Sequence, residues 1–296
     1  MTQLILGPGA LGRLLALRLT PLEPVRLLGR RPLPARLALT TPEGETWHRE
    51  IASARSDEAE SPADVTALHL TTKSMSAEAA LAPLVLPPRT PLVLWQNGYE
   101  VQPRLHAAWP GPVLCASTSE GAYVVEGGVV HAGHGHTWLG SLDGKHAELA
   151  ATLAERLSRA GLPTTAVADI RQRLWHKLAV NAAINPLVAR FGIRNGQLRD
   201  RPFRPMVEAM LEELAPILAA EGVAAPPSGW AALVWGVIEG TATNRASMLQ
   251  DVGAGRPTER DAILGPLLEA ARRHGLPHDG LLAAYRGLDR YHLPQA

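Results

Sequence analysis

Cysteine is almost absent: Cys115 is the only one in 296 residues. A single thiol excludes an intramolecular disulfide and a cysteine-built metal cluster, and it suits a reducing compartment. Excess charge of either sign is also lacking. The formal net charge is +1, so no global field draws the chain toward nucleic acid or a membrane surface. No apolar run reaches the roughly 18 residues of a membrane span. The opening Met1-Thr2-Gln3-Leu4-Ile5-Leu6 carries no basic leader. It reads as a first strand rather than a signal peptide, and the expected compartment is the cytoplasm. Aromatic residues make up only 4%. The tryptophans are scattered and do not interleave with basic residues, which speaks against a nucleic-acid platform. Neither nucleic acid nor a membrane is therefore expected as a partner. What remains has the balance of a globular protein, with 46% hydrophobic and 19% charged residues. The length suits one large or two medium domains.

The first half alternates short apolar runs with helical stretches, which is the pattern of a parallel sheet with crossover helices. Strands are expected at Gln3–Leu6, Val25–Gly29, Val65–Leu70, Pro91–Trp95 and Val113–Ser117, with helices at Ala10–Thr20 and Met75–Leu84. Around Tyr123–Val125, Val129–Ala132 and Thr137–Gly140 the alternation suggests antiparallel strands that extend the same sheet. A helix over Ala147–Ala160 and a strand at Thr164–Val167 complete this half. From Asp169 onward nearly every segment reads as helix. Asp169 can cap a long one through Trp175, Val180 and Ile184. Others follow at Phe203–Ala220, Trp230–Glu239, Ala246–Val252, Thr258–His274 and Gly280–Arg290. The expected organisation is an α/β domain over residues 1–168 and an all-α domain over 169–296.

Gly7-Pro8-Gly9-Ala10-Leu11-Gly12 matches G-x-G-x-x-G between an apolar strand and an apolar helix. In that setting Gly7 permits a tight turn, Gly9 lets backbone approach a pyrophosphate, and Gly12 allows close packing of helix on strand. The helix N-terminus offers unpaired N–H groups and partial positive charge to phosphates. A ligand-free glycine turn is the plain alternative. An NAD site usually places an acidic residue after the second strand. Here that strand ends in Arg30-Arg31, and Glu43 is the next acid. Two guanidiniums suit a 2′-phosphate, which favours NADPH, with Arg30 preferred because it lies nearer the strand. A solvated basic turn is the competing reading. Thr71-Thr72-Lys73 and Gln96-Asn97-Gly98 stand at carboxyl ends of parallel strands, where open sheets bind ligands. Lys73 could meet cofactor or substrate charge and Asn97 could bridge the two; each could also be an ordinary loop residue.

The segment Leu174-Trp175-His176-Lys177 through Asn185-Pro186 is the most informative. Lys177, Asn181 and Asn185 recur every four residues and form one polar stripe on a mostly apolar helix. Such a stripe needs partners, and a polar ligand would supply them. Keto reduction needs a proton at the carbonyl oxygen, and a partly desolvated lysine can provide it. Its charge would also stabilise a developing alkoxide. Alternatively, Lys177 snorkels to solvent and the asparagines tie the helix to a neighbour.

Trp175-His176-Lys177-Leu178-Ala179-Val180-Asn181 with Ile184-Asn185-Pro186-Leu187, and Ser247-Met248-Leu249-Gln250-Asp251 with Thr258-Glu259, resemble the signatures of ketopantoate reductases. Gly7 to Gly12, Lys73, Gln96-Asn97-Gly98 and Glu120-Gly121-Ala122 fall in matching order. The resemblance implies a Rossmann-type doubly wound sheet followed by an all-α domain of the 6-phosphogluconate dehydrogenase type, with the active site between them. It implies NADPH-dependent reduction of 2-dehydropantoate to (R)-pantoate, a step in pantothenate synthesis. By that similarity Lys177 is the proton donor. Asn97, Asn181, Asn185, Asn195, Asn244 and Ser247 would contact substrate. Lys73, Asn97, Ala122 and Glu259 would line the cofactor site with the glycine turn, Arg30 and Arg31. Departures from the family pattern are Pro257, where a lysine is frequent, Leu264 in place of an asparagine, and Tyr99-Glu100 after the Asn-Gly pair. The rival expectations are a reductase of another 2-keto acid on the same scaffold and a non-catalytic NADPH-binding sensor. The expected partner is a small 2-keto acid, and the reading leaves room for a homodimer.

Other features are discounted. His131, His134 and His136 cluster among glycines but lack companion ligands for zinc, so no metal is expected. Cys115 sits in a strand and reads as packing. Arg199–Arg204 reads as a solvated connection between helices.

Overall fold

The computed structural model describes residues 2–58 and 64–289. The chain divides into two compact units: Met1–Gln96 with Val101–Arg173, and Asn97–Glu100 with Leu174–Ala296.

The first unit begins with β1 (Thr2–Leu6), α1 (Ala10–Leu19) and β2 (Val25–Gly29). Then come β3 (Arg36–Thr40), β4 (Thr46–Glu50), β5 (Ala52–Arg55), β6 (Val65–Leu70), α2 (Ala77–Leu81) and β7 (Leu92–Leu94). It continues with α3 (Val101–Ala108), β8 (Val113–Thr118), β9 (Gly121–Val125), β10 (Gly128–Gly133), β11 (Thr137–Gly140), α4 (Ala147–Arg159) and β12 (Thr164–Ala166). Among the described residues the main sheet has the order β12-β11-β8-β7-β6-β1-β2-β5. From β5 to β8 every neighbouring pair is parallel. Only β11 runs antiparallel to β8, and β12 then pairs parallel to β11. Strand order reverses at β1, so the turn after β1 sits at the topological switch point where open α/β sheets take ligands.

The expectation of one extended sheet is corrected here. β9 and β10 leave the main sheet and join β3 and β4 in a second one, ordered β4-β3-β10-β9. β10 pairs parallel to β3, from Gly128 opposite Ala38 to Val130 opposite Thr40. Gly128 is required at this junction, because a Cβ there would lie 2.2 Å from the Ala38 carbonyl oxygen. Helix α1 packs on both sheets, and Leu14, Leu15 and Leu17 share one core with Ile5, Leu37, Leu39 and Val129. The connection from β2 to β5 is thus a strand pair instead of a helix. The helix expected over Met75–Leu84 shrinks to a 3₁₀ turn at Ser74–Ser76 and α2. Pro83 lies two residues beyond α2, and with no N–H it cannot donate the next bond of the helical ladder.

The second unit is helical. Helix α5 runs from Ile170 to Phe191, and its start is capped as the sequence suggests: Asp169 accepts the Gln172 N–H at 3.1 Å. Helices α6 (Arg204–Ala220), α7 (Gly229–Gly240), α8 (Ser247–Gly253), α9 (Arg260–His274) and α10 (Asp279–Arg286) follow. The last expected helix ended at Arg290, which lies outside the described residues. The core joins Trp175, Leu178 and Ala182 of α5 to Leu214 of α6, Ile238 of α7 and Leu267 of α9. Pro186 lies inside α5 and cannot donate to the Ala182 carbonyl, so the ladder is interrupted one residue past Asn185. Among the described residues no helix is long and apolar enough to cross a membrane.

Candidate functional site

The glycine turn links β1 to α1 and is shaped by close approach. Gly7 adopts φ +114°, and a Cβ on it would meet the Thr72 backbone nitrogen at 2.7 Å. A Cβ on Gly12 would lie 2.0 Å from the Gly7 carbonyl oxygen. Neither position can carry a side chain without movement of backbone. Gly9 differs: nothing lies within 4 Å of its hypothetical Cβ. That open space faces the start of α1, whose ten residues supply the N-terminal N–H groups and dipole. Pro8, Ala10 and Leu11 complete the turn, and a Cβ on Gly29 would meet the Pro8 ring at 2.6 Å. A bound dinucleotide needs two crowded glycines and one with room above it, and this turn has that arrangement.

Neighbouring side chains brace the turn. The Thr71 hydroxyl donates to the carbonyls of Gly7 (2.7 Å) and Leu6 (3.1 Å). Arg13 donates to the Pro8 carbonyl at 2.9 Å and to the Gly128 carbonyl at 3.1 Å, tying the turn to the second sheet. Arg30 and Arg31 follow β2, both exposed, and half-buried Lys73 follows β6. These places share the carboxyl-end edge of the parallel strands with the glycine turn. Ala122 lies on β9 opposite His131.

The three clustered histidines find protein partners. His131 is buried, with Nδ1 3.0 Å from Arg18 and Nε2 2.7 Å from Glu120. His134 contacts Glu43, and His136 contacts Thr165 at 2.9 Å. Burial pushes the Cys115 thiol up to about 12, so it stays protonated and packs as an apolar group.

In the helical unit, Lys177, Asn181 and Asn185 lie along α5; the first two are half-buried and Asn185 is buried. Burial pulls the Lys177 ammonium down to about 8, while the Glu259 carboxylate pulls it the other way. Glu259 immediately precedes α9 and accepts the Asn97 side-chain N–H at 3.1 Å. The Asn97–Glu100 segment is seated on this unit by backbone. Tyr99 N–H donates to the Ala262 carbonyl at 3.2 Å. Gly98 has φ +85°, and a Cβ there would lie 2.1 Å from the same oxygen. The Tyr99 ring packs on Trp175 of α5 at 5.1 Å. Lys177, Glu259 and Asn97 are therefore gathered by three distant stretches of sequence.

Asn195 and Asn244 are brought together through backbone, Asn195 N–H donating to the Asn244 carbonyl at 3.1 Å. The Asn195 side chain donates to Thr241 at 2.9 Å, and its own Oδ1 is buried without a protein partner. Asn244 is exposed, as is Ser247, the first residue of α8. Sequence reasoning missed the bracing by Thr71 and Arg13. An arginine directly after a glycine motif carries no local signal that its guanidinium turns back onto the turn's carbonyls.

Residues 3–144 match the family described as Ketopantoate reductase PanE/ApbA, and residues 169–290 match its C-terminal part. The 2-dehydropantoate 2-reductase of Vibrio cholerae is 34% identical over 281 residues, 93% of each chain. Among solved structures, the 2-dehydropantoate 2-reductase of Geobacter metallireducens superposes with a TM-score of 0.88 at 22% identity, covering 98% of this chain and 99% of its own. A D-mandelate dehydrogenase, solved with NADH and anilino(oxo)acetate, superposes with a TM-score of 0.86 at 21% identity over 98% of both chains; at that identity the likeness is one of fold. The first unit thus has the fold of nicotinamide-dinucleotide dehydrogenases, and with relatedness running through both units the chain belongs to the ketopantoate reductase family.

Proposed function

We propose that this chain reduces 2-dehydropantoate to (R)-pantoate with NADPH, and that Lys177 is the proton donor. The observation that carries the reading is the lysine itself: an ammonium pulled down to about 8, beside Glu259, on the polar stripe of α5. NADPH, when bound, supplies the hydride that adds to the keto carbon. The residues of this chain do the rest. The start of α1 and the space over Gly9 hold the pyrophosphate. Arg30, with Arg31 beside it, pairs with the 2′-phosphate, and Lys73 and Ala122 line the same site. Lys177 donates a proton to the keto oxygen and stabilises the charge that gathers there. Asn181, Asn185, Asn244 and Ser247 bind substrate oxygens without burying a second full charge. Asn195, whose side chain is braced on Thr241, completes the substrate-binding set by similarity to the family. Glu259 and Asn97 keep the lysine protonated and oriented.

A reaction that consumes NADPH, in a chain whose one thiol is reduced and buried, belongs in the cytoplasm. The test is spectrophotometric oxidation of NADPH across a panel of 2-keto acids with NADH in parallel. Highest kcat/KM with 2-dehydropantoate and NADPH supports the proposal. A second reading, reduction of a different 2-keto acid, is favoured by the fold shared with a mandelate dehydrogenase. Preference for an aryl 2-keto acid would select it. Tight NADPH binding with no turnover on any keto acid would select a sensor.

A further inference from the structure

The start of α9 is held from two sides, and Glu259 sits where the two holds meet. Glu259 takes the N-cap place of α9, yet its side chain makes no capping bond to that helix. Its carboxylate accepts the Asn97 side-chain N–H at 3.1 Å and acts on Lys177 through its charge. With no bond to its own helix, the carboxylate takes its direction from the backbone of the first turn. On one side the Asn97–Glu100 segment holds that turn, through the Tyr99 N–H on the Ala262 carbonyl. On the other side stand Arg260 and α10.

Arg260 is only 8% exposed. A buried guanidinium is costly unless its charge and N–H groups are matched. Here it lies 4.1 Å from the centre of the Tyr285 ring. Its Nη1 donates to the Asp289 carboxylate at 2.5 Å and to the Tyr285 carbonyl at 3.2 Å. Its Nε stands 3.5 Å from the Asp261 carboxylate. Asp261 also accepts the Tyr285 hydroxyl at 2.5 Å, which raises the pKa of that phenol and keeps it neutral. The ionisable groups gathered at this turn are thus Lys177, Glu259, Arg260, Asp261, Tyr285 and Asp289, with Tyr99 and Glu100 on the strap. Residues 259 and 260 carry opposite charges. A guanidinium not anchored on α10 would be drawn to the neighbouring carboxylate and would compete for it with Lys177.

We propose that Arg260 is a positioning residue for the reduction: gripped by Tyr285 and Asp289, it holds the first turn of α9 so that the Glu259 carboxylate serves Lys177. This rests on the proton-donor reading above. The chain's last described helix then helps to set the charge of a lysine about a hundred residues before it.

The test is a set of pH–rate profiles, by NADPH oxidation with 2-dehydropantoate, on wild type, R260M, D289A, E259Q and the R260M/E259Q double variant. Asp289 is exposed, so D289A loosens the grip without opening the core. R260M and D289A should each move the alkaline limb about half a pH unit lower, on the scale of a weakened ion pair. The ratio of kcat/KM at pH 9 to that at pH 6 then falls about threefold, a readout that a mere loss of folded protein does not move. In E259Q the limb is already displaced, and adding R260M should move it no further. A limb unmoved in either single variant would overturn the proposal. So would an equal displacement by R260M with and without the Glu259 carboxylate, because Arg260 would then act by another route. If R260M fails to fold, D289A decides, alone and combined with E259Q. A wild-type limb retained in K177A would remove the proton-donor reading and this one with it. A limb moved by E259Q but by neither R260M nor D289A would remove this one alone.

Discussion

Removal of the Lys177 ammonium tests the chemistry most directly. Burial lowers its pKa from 10.5 to about 8, against the pull of Glu259. At pH 7 about nine-tenths of the molecules then carry the proton to be donated, and above pH 8 that fraction falls about tenfold per unit. Wild-type kcat/KM should therefore be flat near neutrality and descend on an alkaline limb centred near 8. Lys177→Ala should lower kcat by roughly two to four decades, the usual scale of a lost general acid, and should abolish the limb. Glu259→Gln removes the charge that favours the ammonium, so the limb should move to lower pH. The same burial has a cost in stability. A lysine whose folded pKa lies below its unfolded one binds protons better when unfolded, so it destabilises the fold at every pH below the folded value. The penalty fades as pH rises from about 8 to 10.5. Discounted for the part of the side chain that water reaches, it is on the order of 2 kcal/mol at neutral pH. Lys177→Met should thus be inactive yet melt a few degrees higher. The measurements are pH–rate profiles by NADPH oxidation and thermal unfolding by circular dichroism. Turnover of Lys177→Ala within about threefold of wild type, or an unchanged alkaline limb in that variant, would refute the assignment.

Three other outcomes follow from the first unit. Arg30→Ala should weaken NADPH binding far more than NADH binding in a titration; equal losses would sink the 2′-phosphate pairing. Gly9→Ala should keep wild-type stability, since nothing lies within 4 Å of the added methyl, yet lose dinucleotide affinity. Gly12→Ala should unfold at lower urea, because its methyl would sit 2.0 Å from the Gly7 carbonyl oxygen; the reverse pattern in urea and binding titrations would refute the cradle. Burial holds His69 neutral, near 4 instead of 6.5, with Nδ1 accepting from Trp95 and Nε2 donating to Gln3. Its folded pKa is depressed, so stability should fall as pH drops through about 6.5 toward 4, by on the order of 3 kcal/mol in total. His69→Gln should flatten that acid dependence in urea titrations, and an unaltered slope would exclude His69 as its source.

The glycine turn, the strands around it and the stripe on α5 were legible because each is a local pattern: an apolar run into G-x-G-x-x-G, or a polar residue every fourth position. The stretch from Arg36 to Arg55 was not. Leu37 and Leu39 alternate on β3, but β4 reads Thr-Trp-His-Arg-Glu and exposes every second residue. Its apolar contribution comes mainly from Trp47, over which Arg18 and Arg49 stack. That β10 chooses β3 over the main sheet is decided by partners about ninety residues away, which no window can register. At the candidate site, residue types were legible and their grouping was not. Nothing near Asn97 in sequence signals that Glu259 accepts its amide.

The seating of Asn97–Glu100 has a consequence for how this molecule can be taken apart. The polypeptide leaves the first unit after Gln96, returns at Val101, and departs finally after Arg173. No single scission can therefore release either body whole. A fragment starting at Leu174 would expose the Trp175 ring that Tyr99 covers and forfeit the strand-like bond to Ala262. During synthesis the helical body must wait for the residues from Leu174 onward while a four-residue strap, made long before, is held in reserve. Evolution can exchange such bodies between proteins only by cutting in three places at once.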